Sequence, residues 1–187
     1  MTELLSYDFM QRALVAALLI PGSASAATIV LPIDGYFERQ TVKGYGVLVD
    51  DAYHAARRDL FPNNQFMNQY TGYHAAVDIE YLAPNDANLD VPVRAITDGE
   101  VIYVGDVSGY GGLIIVRHQQ PEAVTSLYGH VRLRDALVKV GDQVRAGQTL
   151  AFLGAPFSAE TSGARKHLHF GIHKGQDARI NGHEASL

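Results

Sequence analysis

The chain has 187 residues, 47% of them hydrophobic and 19% charged, enough for one well-filled core. A net charge of -5 gives no basic footprint, which argues against nucleic acid and acidic membrane surfaces as main partners. Cysteine is absent, so neither a disulfide framework nor a thiolate zinc site can form, and any bound metal must be held by histidine and carboxylate.

Residues 1–26 read as a signal peptide or apolar leader. The run ALVAALLI at 13–20 is followed by Pro21-Gly22 and then by Ala24-Ser25-Ala26, a small-x-small cleavage pattern. A spanning helix needs about 20 apolar residues, so no stable membrane insertion is expected after signal removal. Glu3 and Asp8 outweigh Arg12 ahead of the run, whereas a start at Met10 would give the positively charged lead Met10-Gln11-Arg12. The opening LLSYDFMQRALVAALL also resembles the start of the first membrane helix in permease subunits of zinc/manganese ABC transporters, and nothing after Pro21 continues that likeness. The expected destination is outside the cytoplasm, in a periplasm or secreted to the cell wall.

Residues 27–70 read as a lead-in or covering segment: a strand-like TIVLPIDG, a polar stretch with a short helix at 52–60, and the turn-rich PNNQ at 62–65. From Tyr73 onward, short β-branched and aromatic runs alternate with Gly- and Asp-rich turns, as at Asp98-Gly99 and Gly141-Asp142. Strands are expected near 75–81, 93–96, 100–104, 113–118, 124–130, 144, 149–153 and 167–172. The fold class that follows is all-β, an antiparallel sheet or rolled sandwich, with short helices and loops confined to the lead-in. The domain is expected over 71–176, with 177–187 as a tail.

Two stretches concentrate chemistry on one strand face. In KHLHFGIH at 166–173, a period of two puts His167, His169, Gly171 and His173 on one side and Leu168, Phe170 and Ile172 on the other. Same-face neighbours lie roughly 6–7 Å apart, close enough for two rings to converge on one ion. In HAAVD at 74–78, His74, Ala76 and Asp78 share a face, and the small Ala76 leaves room above the strand. A straight strand would put the Cα atoms of His74 and Asp78 about 13 Å apart, so joint ligation demands a bend between them. A catalytic zinc takes three protein ligands and one open position, a set that His74, Asp78 and one of the pair His167/His169 would supply. The helical zinc-protease motif His-Glu-x-x-His is absent; His183-Glu184 begins it, but position 187 is Leu.

His74-x-x-x-Asp78, the triplet Tyr128-Gly129-His130 and His167-x-His169 resemble, in order and spacing, the motifs of the M23 (lysostaphin/LytM-type) zinc metallopeptidases, which cut peptides in bacterial peptidoglycan. The resemblance runs from about Gly72 to Gly175 and includes VRAITDGEVIYVG, SGYGGLIIVRH, VTSLYGH, VKVGDQVRAGQTLAFLG and KHLHFGI. It implies a LytM-like fold, one Zn2+ per chain held by His74, Asp78 and His169, and His130 and His167 as catalytic histidines. The substrate it implies is the peptide of peptidoglycan, cut at a cross-link or stem through a zinc-activated water. One departure is Ala76, where the family usually has Gly; a position needing positive φ would strain it.

Other residues carry less. Tyr128 shares a strand face with His130 but reads as packing, and His118 reads as structural. His173 is expected at the strand's end in solvent and His54 and His183 on the surface, while Tyr70 and Tyr73 precede His74 without any pattern that fixes them at a groove. The stretch VKVGDQVRAGQTLAFLG also resembles half of a biotinyl/lipoyl carrier, but no lysine follows in GAPFSAET, so it marks a β-hairpin. The alternative to an enzyme is a catalytically silent M23-like binding module that regulates other wall hydrolases. The presence of all five key residues favours the enzyme.

Overall fold

The computed structural model describes residues 27–34, 41–43, 48–49, 72–80, 89–120 and 122–178. The leader, the helix expected at 52–60, His54, Tyr70 and His183 lie outside the described residues.

The strands are β1 (Thr41–Lys43), β2 (Leu48–Val49), β3 (Gly72–Tyr73), β4 (Val77–Glu80), β5 (Pro92–Arg94), β6 (Gly99–Val107), β7 (Gly111–His118), β8 (Val124–Gly129), β9 (Val131–Arg132), β10 (Gln143–Val144), β11 (Thr149–Leu153) and β12 (His167–Lys174). A seven-stranded antiparallel sheet runs β1-β4-β12-β8-β7-β6-β10, and a three-stranded sheet runs β5-β11-β9. The pair β2-β3 forms a third, two-stranded sheet, and Leu133–Asp135 and Ala159–Thr161 form single 3-10 turns. The protein is all-β, as its patterning predicts. No helix among the described residues is long and apolar enough to cross a membrane.

Strand β7 shows why the layers form. Its run Leu113-Ile114-Ile115-Val116 is apolar without interruption, the pattern of a central strand covered on both faces. Ile114 and Val116 face the main core with Val101, Tyr128, Leu168 and Ile79, against Val93, Ala151 and Leu153 of the smaller sheet. Leu113 and Ile115 face the other way and join Tyr110 and Leu127 in a second cluster. The same alternation in β12 sends Leu168 into the main core and leaves His167 and His169 on the face that carries the second cluster. Of the expected apolar backing, Leu168 is buried and Phe170 packs against the core, but Ile172 is 47% exposed.

Register then fixes the site. Strand β12 lies between β4 and β8, with His169 opposite Asp78 on one side and Gly129 on the other, and His167 opposite Glu80. Directly opposed residues of an antiparallel pair share a face, so Asp78, Glu80, His167 and His169 all stand on the same side. A one-residue slip of β12 would send both histidines into the core.

Candidate metal centre

His74 precedes β4, and the chain bends at Ala76 before the strand starts at Val77. The strand expected from residue 75 therefore begins two residues later, and the bend supplies the closure that joint ligation demands. His74 Nε2 lies 3.2 Å from Asp78 Oδ1. Ala76 is buried and is not among the residues with positive φ, so the methyl group that replaces the family's usual Gly hydrogen brings no backbone strain.

Across the strand pair, His169 Nδ1 stands 3.1 Å from Asp78 Oδ1 and 3.2 Å from His74 Nε2. Three donor atoms from residues 91 and 95 positions apart thus meet in a triangle, all buried, in a group that could hold a metal ion. Room for the His169 ring comes from Gly129: a Cβ there would lie 3.1 Å from Tyr110 Cδ1 and 3.3 Å from His169 Cβ. Tyr110 closes the other side, its ring edge-on to His169 with centroids 5.1 Å apart.

The other two histidines flank this triangle. His167 Nε2 is 3.6 Å from Asp78 Oδ1, and its Nδ1–H donates to the Arg165 carbonyl at 2.8 Å. Nδ1 therefore carries a proton, and Nε2 is turned toward the cluster. His130 stacks at 4.3 Å from the His167 ring and 6.0 Å from that of His169. It adopts φ 64°, uncommon for a residue with a side chain, directly after β8. Its backbone is held on both sides, N–H to the Tyr110 carbonyl at 2.9 Å and carbonyl to the Gly154 N–H at 2.8 Å. Its Nδ1 is buried with no hydrogen-bond partner, which in a native site points to a group yet to be bound.

That left-handed turn corrects one expectation. Tyr128 and His130 do not share a face, because β8 ends at Gly129 and the alternation stops there. Tyr128 instead lies fully buried in the main core, 5.5 Å from the Phe170 ring, with its hydroxyl accepting the Ile96 N–H at 3.0 Å and hydrogen-bonded to Ser126. Burial pushes the Tyr128 hydroxyl up to about 12, so it stays protonated. His118 is structural as expected: Nδ1–H donates to the Asp98 carbonyl at 2.8 Å, and Nε2 meets the Ser126 hydroxyl at 2.7 Å. His173 differs from expectation, since it lies within β12 and is half-buried. Tyr73, next to His74, is 59% exposed.

Electrostatics favour metal-ready protonation states. Burial raises the Asp78 carboxyl, but the charge of His167 and hydrogen bonds from His167, His169 and His74 outweigh it and hold the group well below the usual carboxylate range. Burial pushes His169 down to about 4, Asp78 opposing, so its ring is neutral at pH 7. Burial and then the neighbouring His167 push His130 well below 6.5. An ionised carboxylate and a neutral imidazole are the forms that ligate cations.

Two residues that histidine patterning passed over complete the cluster. Arg165 Nη2 lies 3.5 Å from Asp78 Oδ2 and forms an ion pair with Glu80, all three side chains being largely buried. Glu80 was legible by the same period of two, following Asp78 by two positions on β4, whereas Arg165 lies before β12, ahead of a bend at Lys166.

Comparison with known proteins gives the family. The chain is 34% identical over 104 residues to the DD-carboxypeptidase/endopeptidase Mpg of Neisseria meningitidis, covering 56% of this chain and 20% of that protein. It is 40% identical over 87 residues to a lipoprotein NlpD/LppB homolog of Pseudomonas aeruginosa, covering 46% and 26%, and 46% identical over 63 residues to the murein hydrolase activator EnvC of Escherichia coli, covering 34% and 14%. The matched part is thus about a quarter or less of these relatives' own length. In fold, the chain is similar to the catalytic domain of the antimicrobial peptidase lysostaphin from Staphylococcus simulans, with a TM-score of 0.53 at 24% identity over 76% of this chain and 86% of that one. The model of peptidase family M23 matches residues 72–181, the stretch that carries every residue of the cluster. The chain belongs to peptidase family M23.

Proposed function

We propose that this chain is a zinc-dependent metalloendopeptidase that hydrolyses peptide bonds of bacterial peptidoglycan, with His74, Asp78 and His169 as ligands of one Zn2+. The observation that carries the reading is the donor triangle with edges of 3.1–3.2 Å. Tetrahedral zinc with bonds of about 2.0–2.1 Å sets its ligand atoms roughly 3.3–3.4 Å apart, so these three atoms fit the ion with almost no rearrangement. When bound, zinc supplies a Lewis acid for the scissile carbonyl and lowers the pKa of water toward neutrality.

The chain's own residues handle the proton. His167, with Nδ1–H fixed on the Arg165 carbonyl, offers Nε2 as the acceptor. As water oxygen bonds to the carbonyl carbon, its proton passes to a histidine and then to the leaving nitrogen as the C–N bond breaks. His130, neutral and with an unpartnered Nδ1, either shares that transfer or donates to the oxyanion. In this reading residues 71–176 form the catalytic domain, 27–70 the lead-in, and 1–26 the leader that delivers it to the periplasm or cell wall. Similarity to Mpg, a DD-carboxypeptidase/endopeptidase, supports the substrate class.

A second reading, an M23-like module that regulates other wall hydrolases, is favoured by the likeness to EnvC. Turbidity clearing of purified peptidoglycan, run beside zinc analysis on the full chain and on His130→Ala, separates the two. The enzyme reading expects clearing by wild type and a zinc-loaded His130→Ala slower by about 100-fold or more. A zinc-loaded wild type that leaves peptidoglycan intact would establish the regulatory module instead.

A further inference from the structure

The geometry points to Arg165, braced by Glu80, as a positioning residue that sets which oxygen of Asp78 faces the metal. The inference rests on the zinc reading above and concerns residues outside the ligand set.

The two oxygens of Asp78 have different neighbours. Oδ1 stands within 3.1–3.6 Å of His169 Nδ1, His74 Nε2 and His167 Nε2. Oδ2 stands 3.5 Å from Arg165 Nη2. A carboxylate held through one oxygen can rotate about its terminal torsion, and a metal invites it to turn both oxygens inward. A guanidinium on the second oxygen opposes that rotation and keeps Asp78 a one-oxygen ligand.

Charge explains why Glu80 is needed. A lone guanidinium next to a dication site would oppose metal binding. Arg165 Nη2 is also in an ion pair with the Glu80 carboxylate, so the two added charges cancel and the negative charge of Asp78 remains for the cation. Glu80 can play this part because it stands opposite His167 on the same face as Asp78. The pair also keeps a second carboxylate, two residues along the strand from Asp78, from competing for the ion.

Arg165 acts on a second group through its backbone. Its carbonyl accepts the Nδ1–H of His167. Ion pairs that anchor the Arg165 side chain therefore also hold the oxygen that selects the His167 tautomer. One residue in this way joins a ligand to its catalytic neighbour.

The test measures zinc affinity of the full chain by chelator competition, together with the unfolding midpoint of the metal-free protein. Arg165→Met alone strands a buried Glu80, so the informative variant is the double Arg165→Met/Glu80→Met, which replaces a buried ion pair with apolar volume. We expect its metal-free midpoint to equal or exceed that of wild type while zinc affinity falls about 10- to 100-fold. Arg165→Lys keeps the charge pair but lacks the planar fork, and its affinity should fall between the two with an unchanged midpoint. Wild-type zinc affinity in both variants would overturn the assignment and leave Arg165 and Glu80 as a plain buried ion pair. A wild-type chain that takes up no zinc would overturn the metal reading itself, a result distinguishable because no variant is needed to see it.

Discussion

Opposite faces of the seven-stranded sheet each bury histidine, and they do so in contrasting ways. On the core face, His118 is fully buried with both ring nitrogens engaged, and the chain of contacts continues through Ser126 and Tyr128 to the Ile96 N–H. Every polar group in that chain has a protein partner. On the other face, His74 and His169 point at each other and at one oxygen of Asp78, while the His130 Nδ1 has no partner. Buried histidine alone thus says little about function. Convergence of donor atoms on a point that none of them fills is the distinguishing mark.

The contrast is broken most severely at the convergent face. His169→Ala removes one corner of the donor triangle and should reduce zinc content from one per chain to none, with hydrolysis lost as well; metal analysis of the folded variant checks it. Retention of both would remove the ligand assignment. On the core face, Tyr128→Phe should leave zinc content and clearing rate unchanged but lower stability by about 1–3 kcal/mol, because the buried Ile96 N–H loses its acceptor. Denaturant unfolding reads that difference directly. A change in metal content in Tyr128→Phe would show that the two faces are coupled.

Smaller effects sharpen the comparison. Gly129→Ala would press a methyl group against Tyr110 and His169, and we expect a loss of about 1–3 kcal/mol together with weaker zinc binding, measured by unfolding and chelator competition. A last effect is common to both faces. Burial holds His118, His130 and His169 below 6.5 in the folded chain, so between their folded values and 6.5 the unfolded chain binds more protons. Stability of the metal-free protein is therefore complete above pH 6.5 and declines as pH falls toward 4. A melting midpoint that stays constant from pH 7.5 to about 4.5 would refute the neutral state of these rings.

Much of this was legible in the sequence because period-two patterning acts wherever a strand is regular. The positions of His167 and His169 opposite Leu168, the need for a bend after His74, and the sheet class all follow from it. The errors arise where regularity stops. Tyr128 was expected beside His130, but the positive φ of His130 ends the alternation after Gly129. Ile172 was expected as apolar backing, yet it stands exposed while Leu168 on the same face is buried. Strands β1 and β2 are three and two residues long, too short to carry a periodic signal. Glu80 obeys the same alternation in β4, whereas Arg165 lies before β12 and a bend, where period two gives no signal.

The placement of Asp78 and His169 on neighbouring strands β4 and β12, 91 residues apart in sequence, has a kinetic consequence. Closing a loop of that size is an entropic cost that must be met before any contact between the strands stabilises the chain, so the centre cannot nucleate folding as a local zinc hairpin does. Residues between them build β8, which must be seated before β12 can dock on both sides. Under the zinc reading proposed above, metal uptake would report that the sheet has closed, and a partly folded chain would hold no ion.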